Sequence, residues 1–277
     1  MTNAAIVWDI SPEIFSYGPV SLRWYGVLFA LVFFLGFFII HHIYKIEEKP
    51  SEDLDRLLLV MVAGTLIGAR LGHVFFYEPS YFFENPLEIL KIWKGGLASH
   101  GGVIGIVLAV FLYSRSRPDQ PLLWLLDRLC IPAMLGASLI RIGNLFNSEI
   151  IGIPTDVPWA VVFARVDPLP RHPVQLYEAG AYLLIFLLLL VMYLPHKSNL
   201  PHGRLLGLTL VLGFCARFVL EFFKTRQEEY LLTIPLNAGQ LLSLPLILVG
   251  MALLWNSYQS AKQGEGTGPG LNPKSRR

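Results

Sequence analysis

Seven stretches of the 277-residue chain are apolar on every face, with no regular alternation of apolar and polar positions. A membrane-spanning helix needs about 20 mainly apolar residues, within a range of roughly 17–25. Strands of a membrane barrel would alternate between apolar and polar residues instead. The pattern therefore predicts an all-α, polytopic membrane protein with about seven transmembrane helices. The predicted spans are 20–40, 57–77, 97–113, 122–140, 179–194, 205–223 and 238–256.

The composition supports this fold class. Hydrophobic residues make up 54% of the chain and charged residues only 15%, whereas a soluble domain carries about 25% charged residues. A net charge of +2 with scattered basic residues does not indicate nucleic-acid binding. The two cysteines, Cys130 and Cys215, lie inside apolar runs and are interpreted as small buried residues, not as a disulfide or a zinc site.

Loop charges predict the orientation. No basic segment precedes the first apolar run and no cleavage pattern follows it, so it is expected to remain as a helix. With the N-terminus outside, eleven Lys and Arg residues fall in inner segments and six in outer ones, which follows the positive-inside rule. We therefore expect a cytoplasmic C-terminus. Residues 1–256 are expected to form one transmembrane catalytic domain with extracytoplasmic loops at about 78–96 and 143–178, and residues 257–277 a disordered basic tail.

Charged residues within the spans are the strongest functional signal, because each costs roughly 2.5–3.5 kcal/mol at the centre of a membrane helix. The densest polar cluster follows the fourth span and reads Arg141-Ile142-Gly143-Asn144-Leu145-Phe146-Asn147-Ser148-Glu149. Arginine presents a planar fork of donors that suits phosphate. The alternative is an arginine that extends to the membrane surface above an ordinary capping turn. Arg217 and Glu221 stand four residues apart on one helix face, so they either pair with each other or act together.

Two further features lie in the second and third spans. Gly64, Gly68 and Gly72 recur every four residues and predict a close helix–helix contact. Arg70 lies roughly opposite this stripe, where it either forms a structural salt bridge or faces a polar partner. His100 begins the third span next to Gly101-Gly102. Glycines permit close approach of a ligand or of another backbone. His100 is therefore interpreted either as a structural residue at the start of the helix or as a functional residue beside a ligand.

The residues alone thus place arginines, a histidine and a glutamate in the outer half of a helical bundle. This set suits the phosphate of a lipid head group. No Asp-rich cluster indicates magnesium and no Gly-x-Ser-x-Gly motif indicates a serine hydrolase. We expect arginine to supply the positive charge, without a metal or a cofactor.

The ordered motifs resemble the bacterial prolipoprotein diacylglyceryl transferases, over about residues 8–256. They are Trp24-Tyr25-Gly26, Gly68-Ala69-Arg70-Leu71-Gly72, His100-Gly101-Gly102, Arg141-Ile142-Gly143-Asn144 with Asn147 and Glu149, Arg171-His172-Pro173 with Gln175, Tyr177 and Glu178, Arg217, Glu221-Phe222-Phe223, and Gly239-Gln240. The resemblance implies an enzyme of the bacterial cytoplasmic (inner) membrane. Its substrates would be phosphatidylglycerol and the lipobox cysteine of a prolipoprotein signal peptide, and its products a thioether and glycerol phosphate.

The resemblance also implies roles for individual residues. The expected catalytic residues are His100, Arg141, Arg217 and Glu149, and the expected substrate-binding residues are Tyr25, Arg70, Asn144, Asn147, Gly152 and Glu221. In this interpretation His100 is the base for the cysteine thiol, and Arg141 and Arg217 stabilise the departing phosphate. Three positions depart from the family pattern: Ile140 replaces the usual Gly, His73 a common Tyr, and Lys224 a common Arg.

Two other function classes stay open on the residues alone. A transporter or channel would line an anion path with the same arginines, although paired broken helices and an internal repeat are absent from the sequence pattern. A non-catalytic assembly protein would bind the lipid without releasing glycerol phosphate.

Overall fold

The structure, a computed structural model, describes residues 6–18, 20–92, 95–225 and 236–266. Within these residues the apolar runs form helices. The helices are α1 (Trp24–Ile46), α2 (Ser51–Phe76), α3 (Pro79–Glu84), α4 (Ser99–Arg115), α5 (Leu122–Asn147), α6 (Val174–His196), α7 (Arg204–Leu220) and α8 (Ala238–Gly266). Short 3-10 helices cover Pro86–Leu90, Lys197–Asn199 and Glu221–Phe223. Five short strands, not predicted from the sequence, are β1 (Ile6–Trp8), β2 (Glu13–Tyr17), β3 (Val20–Arg23), β4 (Val161–Phe163) and β5 (Pro170–Arg171).

Six of the helices are long and apolar enough to cross a membrane: α1, α2, α5, α6 with the 3-10 turn that follows it, α7 with its own, and α8. This confirms an all-α, polytopic membrane protein. The predicted span at 97–113 corresponds to α4, which has 17 residues and stands at the lower limit for a crossing. The total of seven spans and the orientation stay predictions.

Several element boundaries differ from the predicted spans. The first span starts as strand β3, and α1 begins only at Trp24. Helix α6 begins at Val174, not at 179, and α8 continues to Gly266, so the first ten residues of the predicted disordered tail are helical. The hydropathy of the sequence shows only where the apolar part of a helix ends. Residues that favour the helical conformation can continue the helix beyond its apolar part. The other predicted tail residues, 267–277, lie outside the described residues.

The chain divides into two compact units, residues 1–39 with 127–277 and Ile40–Leu126. In the first unit β1 pairs in parallel with β4, and β5 pairs antiparallel with the other side of β4. Leu145, Val161 and Phe163 form a buried cluster under this sheet, with Trp8 packed against it. Because Leu145 belongs to α5, the sheet is fixed to the end of the helix that carries Arg141.

A buried carboxylate organises the helices of the first unit. Asp127 of α5 is fully buried and accepts hydrogen bonds from the backbone N–H of Gly203 (2.6 Å) and of Leu206 (2.8 Å). These are donors that the start of α7 leaves unpaired, so Asp127 caps α7 from a neighbouring helix. Ser138 links α5 to α6 through a 2.8 Å hydrogen bond to the Ala179 carbonyl.

The glycine stripe of α2 forms a close contact in the second unit, as predicted. A Cβ at Gly72 would lie 2.8 Å from Cα of Gly101, and one at Gly68 would lie 2.7 Å from Cα of Gly105. Real side chains do not fit at these distances, so the α2 and α4 backbones touch directly. At the other end of this unit, Asp53 accepts from Arg117 Nε (2.9 Å) and from Gln120 Nε2 (2.8 Å).

Candidate active site

The C-terminal turns of α5 present the Arg141 guanidinium in a fixed setting. Its Nη1 donates to Asn144 Oδ1 at 3.2 Å, three residues along the helix, where side chains share a face. Its Nε lies 2.9 Å from Glu178 Oε2 on α6. Arg141 and Asn144 therefore share one face of α5, and Glu178 fixes the guanidinium from a second helix.

Glu178 is the centre of a chain of paired charges. Its side chain is fully buried, and its second oxygen, Oε1, lies 2.8 Å from Lys224 Nζ. Lys224 also contacts Glu221 Oε2 at 3.0 Å. The order Arg141, Glu178, Lys224, Glu221 alternates positive and negative groups, which offsets the cost of placing each charge away from water.

The sequence pattern does not predict a role for Glu178 or Lys224. Glu178 adjoins the start of the predicted fifth span, although α6 already begins at Val174. Lys224 stands out in the sequence only as a departure from the family pattern. An acidic residue adjoining an apolar run was the available signal, but its two partners are distant in the sequence and the pairing is visible only in the fold.

Glu149 follows α5 and joins the two predicted asparagines. Its Oε1 accepts from Asn144 Nδ2 at 2.7 Å and from Asn147 Nδ2 at 3.2 Å. Its backbone carbonyl accepts from Gln175 Nε2 of α6 at 2.8 Å. Glu149 therefore orients Asn144, and Asn144 in turn contacts Arg141.

Gly152 lies where three segments meet. Its carbonyl accepts from Arg171 Nη1 at 3.0 Å and from Thr225 Oγ1 at 3.1 Å, and it pairs with Lys224 in an antiparallel bridge. A Cβ there would lie 2.6 Å from Cβ of His172, so this position requires glycine. Gly152 thus acts through the backbone and places Lys224 beside Glu178.

Arg171 is held by an acidic neighbour outside the membrane-spanning helices. Its Nε donates to both carboxylate oxygens of Asp167 at 3.1 Å. This hydrogen-bonded guanidinium keeps the pKa of the Asp167 carboxyl below its ordinary value. The pair therefore stabilises the contact between Arg171 and the Gly152 carbonyl.

Tyr25 and Arg217 lie close to the same cluster. The charges of Glu149 and Arg141 both act on the Tyr25 hydroxyl, and a Cβ at Gly143 would lie 2.8 Å from the Tyr25 ring. The charges of Arg141 and Arg217 both act on the hydroxyl of Tyr182 in α6. The first unit thus brings together Tyr25, Arg141, Asn144, Asn147, Glu149, Gly152, Arg217 and Glu221 of the predicted set.

Arg217 is not paired with Glu221, although the two stand four residues apart. Glu221 lies in the 3-10 helix after α7 and contacts Lys224. Among the described residues, Arg217 has no carboxylate within ion-pair distance, and its side chain is only half-buried. Its positive charge is therefore not neutralised by a fixed partner in this part of the chain.

His100 and Arg70 belong to the second unit. Arg70 is buried and donates to backbone carbonyls, with Nε 2.8 Å from Ile89 O and Nη1 2.7 Å from Gly95 O. These contacts fix the segment before α4, and a role of Arg70 in substrate binding stays a prediction. His100, in the first turn of α4, is exposed and packs against Phe76 and Tyr77 at centroid distances of 5.5 and 5.9 Å.

The fold and the cluster define a class: a multi-pass membrane protein that keeps a chain of paired cationic and acidic side chains between its helices. Comparison with known proteins specifies the family. Residues 12–256 match the family described as prolipoprotein diacylglyceryl transferase, and the chain belongs to that family. It is therefore a transferase.

Three relatives align with this chain over nearly their whole length. The phosphatidylglycerol–prolipoprotein diacylglyceryl transferase of Chloroherpeton thalassium is 57% identical over 264 residues, which cover 95% of this chain and 97% of the relative. The enzyme of the same name from Tolumonas auensis is 50% identical over 249 residues, covering 90% and 96% of the two chains. That from Porphyromonas gingivalis is 41% identical over 266 residues, covering 91% and 94%. The family resemblance inferred from the motifs is confirmed.

Proposed function

We propose that the protein transfers the diacylglyceryl group of phosphatidylglycerol to the lipobox cysteine of a prolipoprotein signal peptide. A thioether forms and glycerol phosphate is released. The names of the relatives supply both substrates, and family membership supports the same reaction here. The proposed location is the bacterial cytoplasmic (inner) membrane with the site toward the extracytoplasmic side, which the distribution of Lys and Arg among the loops supports.

The chemical step is a displacement at carbon. The cysteine sulfur attacks the glycerol carbon that is esterified to phosphate. An S–C bond forms, and the bond between that carbon and the phosphate oxygen breaks. The electron pair of that bond stays on the phosphate oxygen, which leaves as a monoester with an additional negative charge. A group that stabilises this charge more strongly in the transition state than in the bound lipid accelerates the step.

The availability of the two arginines is the observation that carries the proposal. A guanidinium has five N–H donors, and the contacts of Arg141 with Glu178 and Asn144 leave donors free for a ligand. Arg217 supplies a second positive charge without an ion-pair partner among the described residues. Fixed cations in a water-poor site stabilise an oxyanion more strongly than they would in water.

The remaining predicted residues have supporting roles in this proposal. Glu149 orients Asn144, and Asn144 and Tyr25 bind the head group. His100 accepts the thiol proton, because a positioned imidazole is the most frequent general base and the thiolate is the nucleophilic form of cysteine. In the alternative for this step, the arginines themselves favour the thiolate and His100 is structural. A His100→Gln variant that equals the parent at raised pH would support that alternative.

Replacing Arg141 tests the proposal directly. Purified protein is supplied with phosphatidylglycerol and a lipobox peptide in liposomes, and mass spectrometry follows the diacylglyceryl mass on cysteine. Arg141→Ala is expected to lower product formation by about 10²–10³-fold or more. The matched control Arg23→Ala, which removes an exposed arginine paired with Glu13, is expected to retain activity.

The same preparation separates the other function classes. Near-normal turnover of a folded Arg141→Ala variant would contradict the role of the arginines. Anion flux through sealed vesicles without any covalent product would indicate a transporter. Binding of phosphatidylglycerol without release of glycerol phosphate would indicate a non-catalytic lipid-binding protein.

A further inference from the structure

A small polar pocket lies beside the Glu221–Lys224 ion pair in the first unit. Its volume is about 310 Å³, near the lower limit for ligand sites, which span roughly 300–1,000 Å³. Its polar lining consists of Glu221, Lys224, Thr225, Asn237 and Gln240. The pocket has room for a small polar group and not for a diacylglycerol.

Several of these polar groups retain hydrogen-bonding capacity. Lys224 has three N–H donors. It donates one hydrogen bond to Glu221 Oε2 at 3.0 Å and forms an ion pair with Glu178 Oε1 at 2.8 Å, which leaves at least one donor for a ligand. Within the described residues the Asn237 side-chain amide makes no hydrogen bond. Its backbone is engaged: the N–H donates to Gln240 Oε1 at 2.9 Å, and the carbonyl accepts from the N–H groups of Gln240 and Leu241 at 3.0 Å. Asn237 therefore offers both a donor and an acceptor to a ligand.

The charges of the lining select among ligand classes. A bare anion would meet Lys224 but also the Glu221 carboxylate, and an ammonium group would meet Glu221 but also the Lys224 ammonium. A neutral hydroxyl group both donates and accepts, so it satisfies Asn237, Glu221 and the third Lys224 donor without opposing either charge. The lining thus fits a neutral polyol better than a second charge.

The position of the pocket connects it to the arginine cluster. Lys224, in its wall, shares the Glu178 carboxylate with Arg141, with contacts of 2.8 and 2.9 Å. One carboxylate therefore links the wall of the pocket to Arg141. We propose that this pocket binds the glycerol of the lipid head group, with Asn237 as a residue that determines specificity for a polyol ester. The proposal rests on the proposed transferase function and adds the part of the substrate that selects the lipid.

The test compares two lipids that share acyl chains and phosphate. Phosphatidylglycerol carries two head-group hydroxyls and phosphatidylmethanol carries none, while both present the same C–O bond to the thiol. The wild-type protein is expected to prefer phosphatidylglycerol in kcat/KM. Asn237→Leu, which keeps the side-chain size and removes the amide, is expected to lower this preference about 3–10-fold, as for one or two lost hydrogen bonds. The control is Asn256→Leu, an exposed asparagine of α8 about 28 Å along the helix, which should leave the preference unchanged.

A second measurement does not depend on turnover. Glycerol phosphate is expected to inhibit the wild-type protein at lower concentration than methyl phosphate, and Asn237→Leu should remove this difference. An unchanged lipid preference in Asn237→Leu, or an equal loss for both lipids, would overturn the pocket assignment while the transferase function stands. A wild-type protein that transfers neither lipid would overturn the proposed function and the pocket assignment together.

Discussion

Glu178 is the buried counter-ion of two cationic side chains. A carboxylate without solvent is costly unless ion pairs and hydrogen bonds compensate for its lost hydration. Here the compensation comes from ion pairs, because Arg141 contacts one oxygen and Lys224 the other while neither oxygen accepts a hydrogen bond from the described residues. The same contacts decide which edge of the Arg141 guanidinium faces a ligand, so stability and function depend on one side chain.

Glu178→Gln is expected to destabilise the protein by about 3–5 kcal/mol, because it leaves two cations without their shared buried counter-ion. The double variant Glu178→Gln with Lys224→Met should recover part of this loss, since only one of the two cations that shared the Glu178 carboxylate then remains. Thermal unfolding in detergent measures both. The control is Glu13→Gln, which breaks an exposed pair with Arg23 and should change stability by less than about 1 kcal/mol. Additive effects of Glu178 and Lys224 would contradict their coupling.

The Asp167 carboxyl makes the stability of the protein depend on pH, and the direction of its pKa shift fixes the sign of this dependence. Because Arg171 lowers the pKa of the folded carboxyl below the unfolded value of about 3.9, its stabilisation is complete above the unfolded pKa and is lost as pH falls through the folded pKa. The difference in Tm between the wild type and Asp167→Asn should therefore be constant from pH 7 to about 5 and shrink toward pH 3. A difference that grows on acidification would show that Arg171 does not stabilise the carboxylate.

At the scale of elements, the packing of α2 against α4 depends on glycines, which have no side chain to separate the two helices. Gly68→Ala would place a Cβ 2.7 Å from Cα of Gly105, and the helices would have to separate. The expected cost is about 1–3 kcal/mol, measured as a lower Tm. Gly180→Ala in α6 is the matched control, because no atom lies within 4 Å of its Cβ position, and alanine is the better helix former. Equal effects of the two substitutions would show that α2 and α4 do not touch at Gly68.

These elements also show how far the sequence can predict the fold and the site. Apolar runs located the helices, and the four-residue spacing of Gly64, Gly68 and Gly72 predicted their packing, because both signals are local. The link from Glu178 to Lys224 was missed because 46 positions separate the two residues and a strand-like bridge at Gly152 aligns them. Of the two alternatives for Arg217 and Glu221, direct pairing does not occur, because α7 ends at Leu220 and the chain tightens into a 3-10 turn.

At the scale of the whole molecule, α4 decides on which side of the membrane each terminus lies. Six helices are long enough to cross, and an even number of crossings would place both termini on one side. The 17 residues of α4 span about 26 Å, slightly less than a hydrocarbon core of about 30 Å. Local thinning of the bilayer accommodates such a mismatch at modest cost. His100 near one end and Arg115 at the other place polar groups where the interfaces would be.

Cysteine labelling across α4 therefore tests both the number of spans and the orientation. Single cysteines are introduced by Ser80→Cys and Ser116→Cys, on either side of α4, and by Ser11→Cys and Ser260→Cys near the termini, after Cys130 and Cys215 are replaced by alanine. All four serines are exposed. With seven spans and an outside N-terminus, an impermeant maleimide should label the variants at positions 11 and 80 in intact cells, and those at 116 and 260 only after permeabilisation. Labelling of positions 80 and 116 from the same side would mean that α4 does not cross, and full reversal of the pattern would contradict the orientation, because the positive-inside rule then fails for these loops.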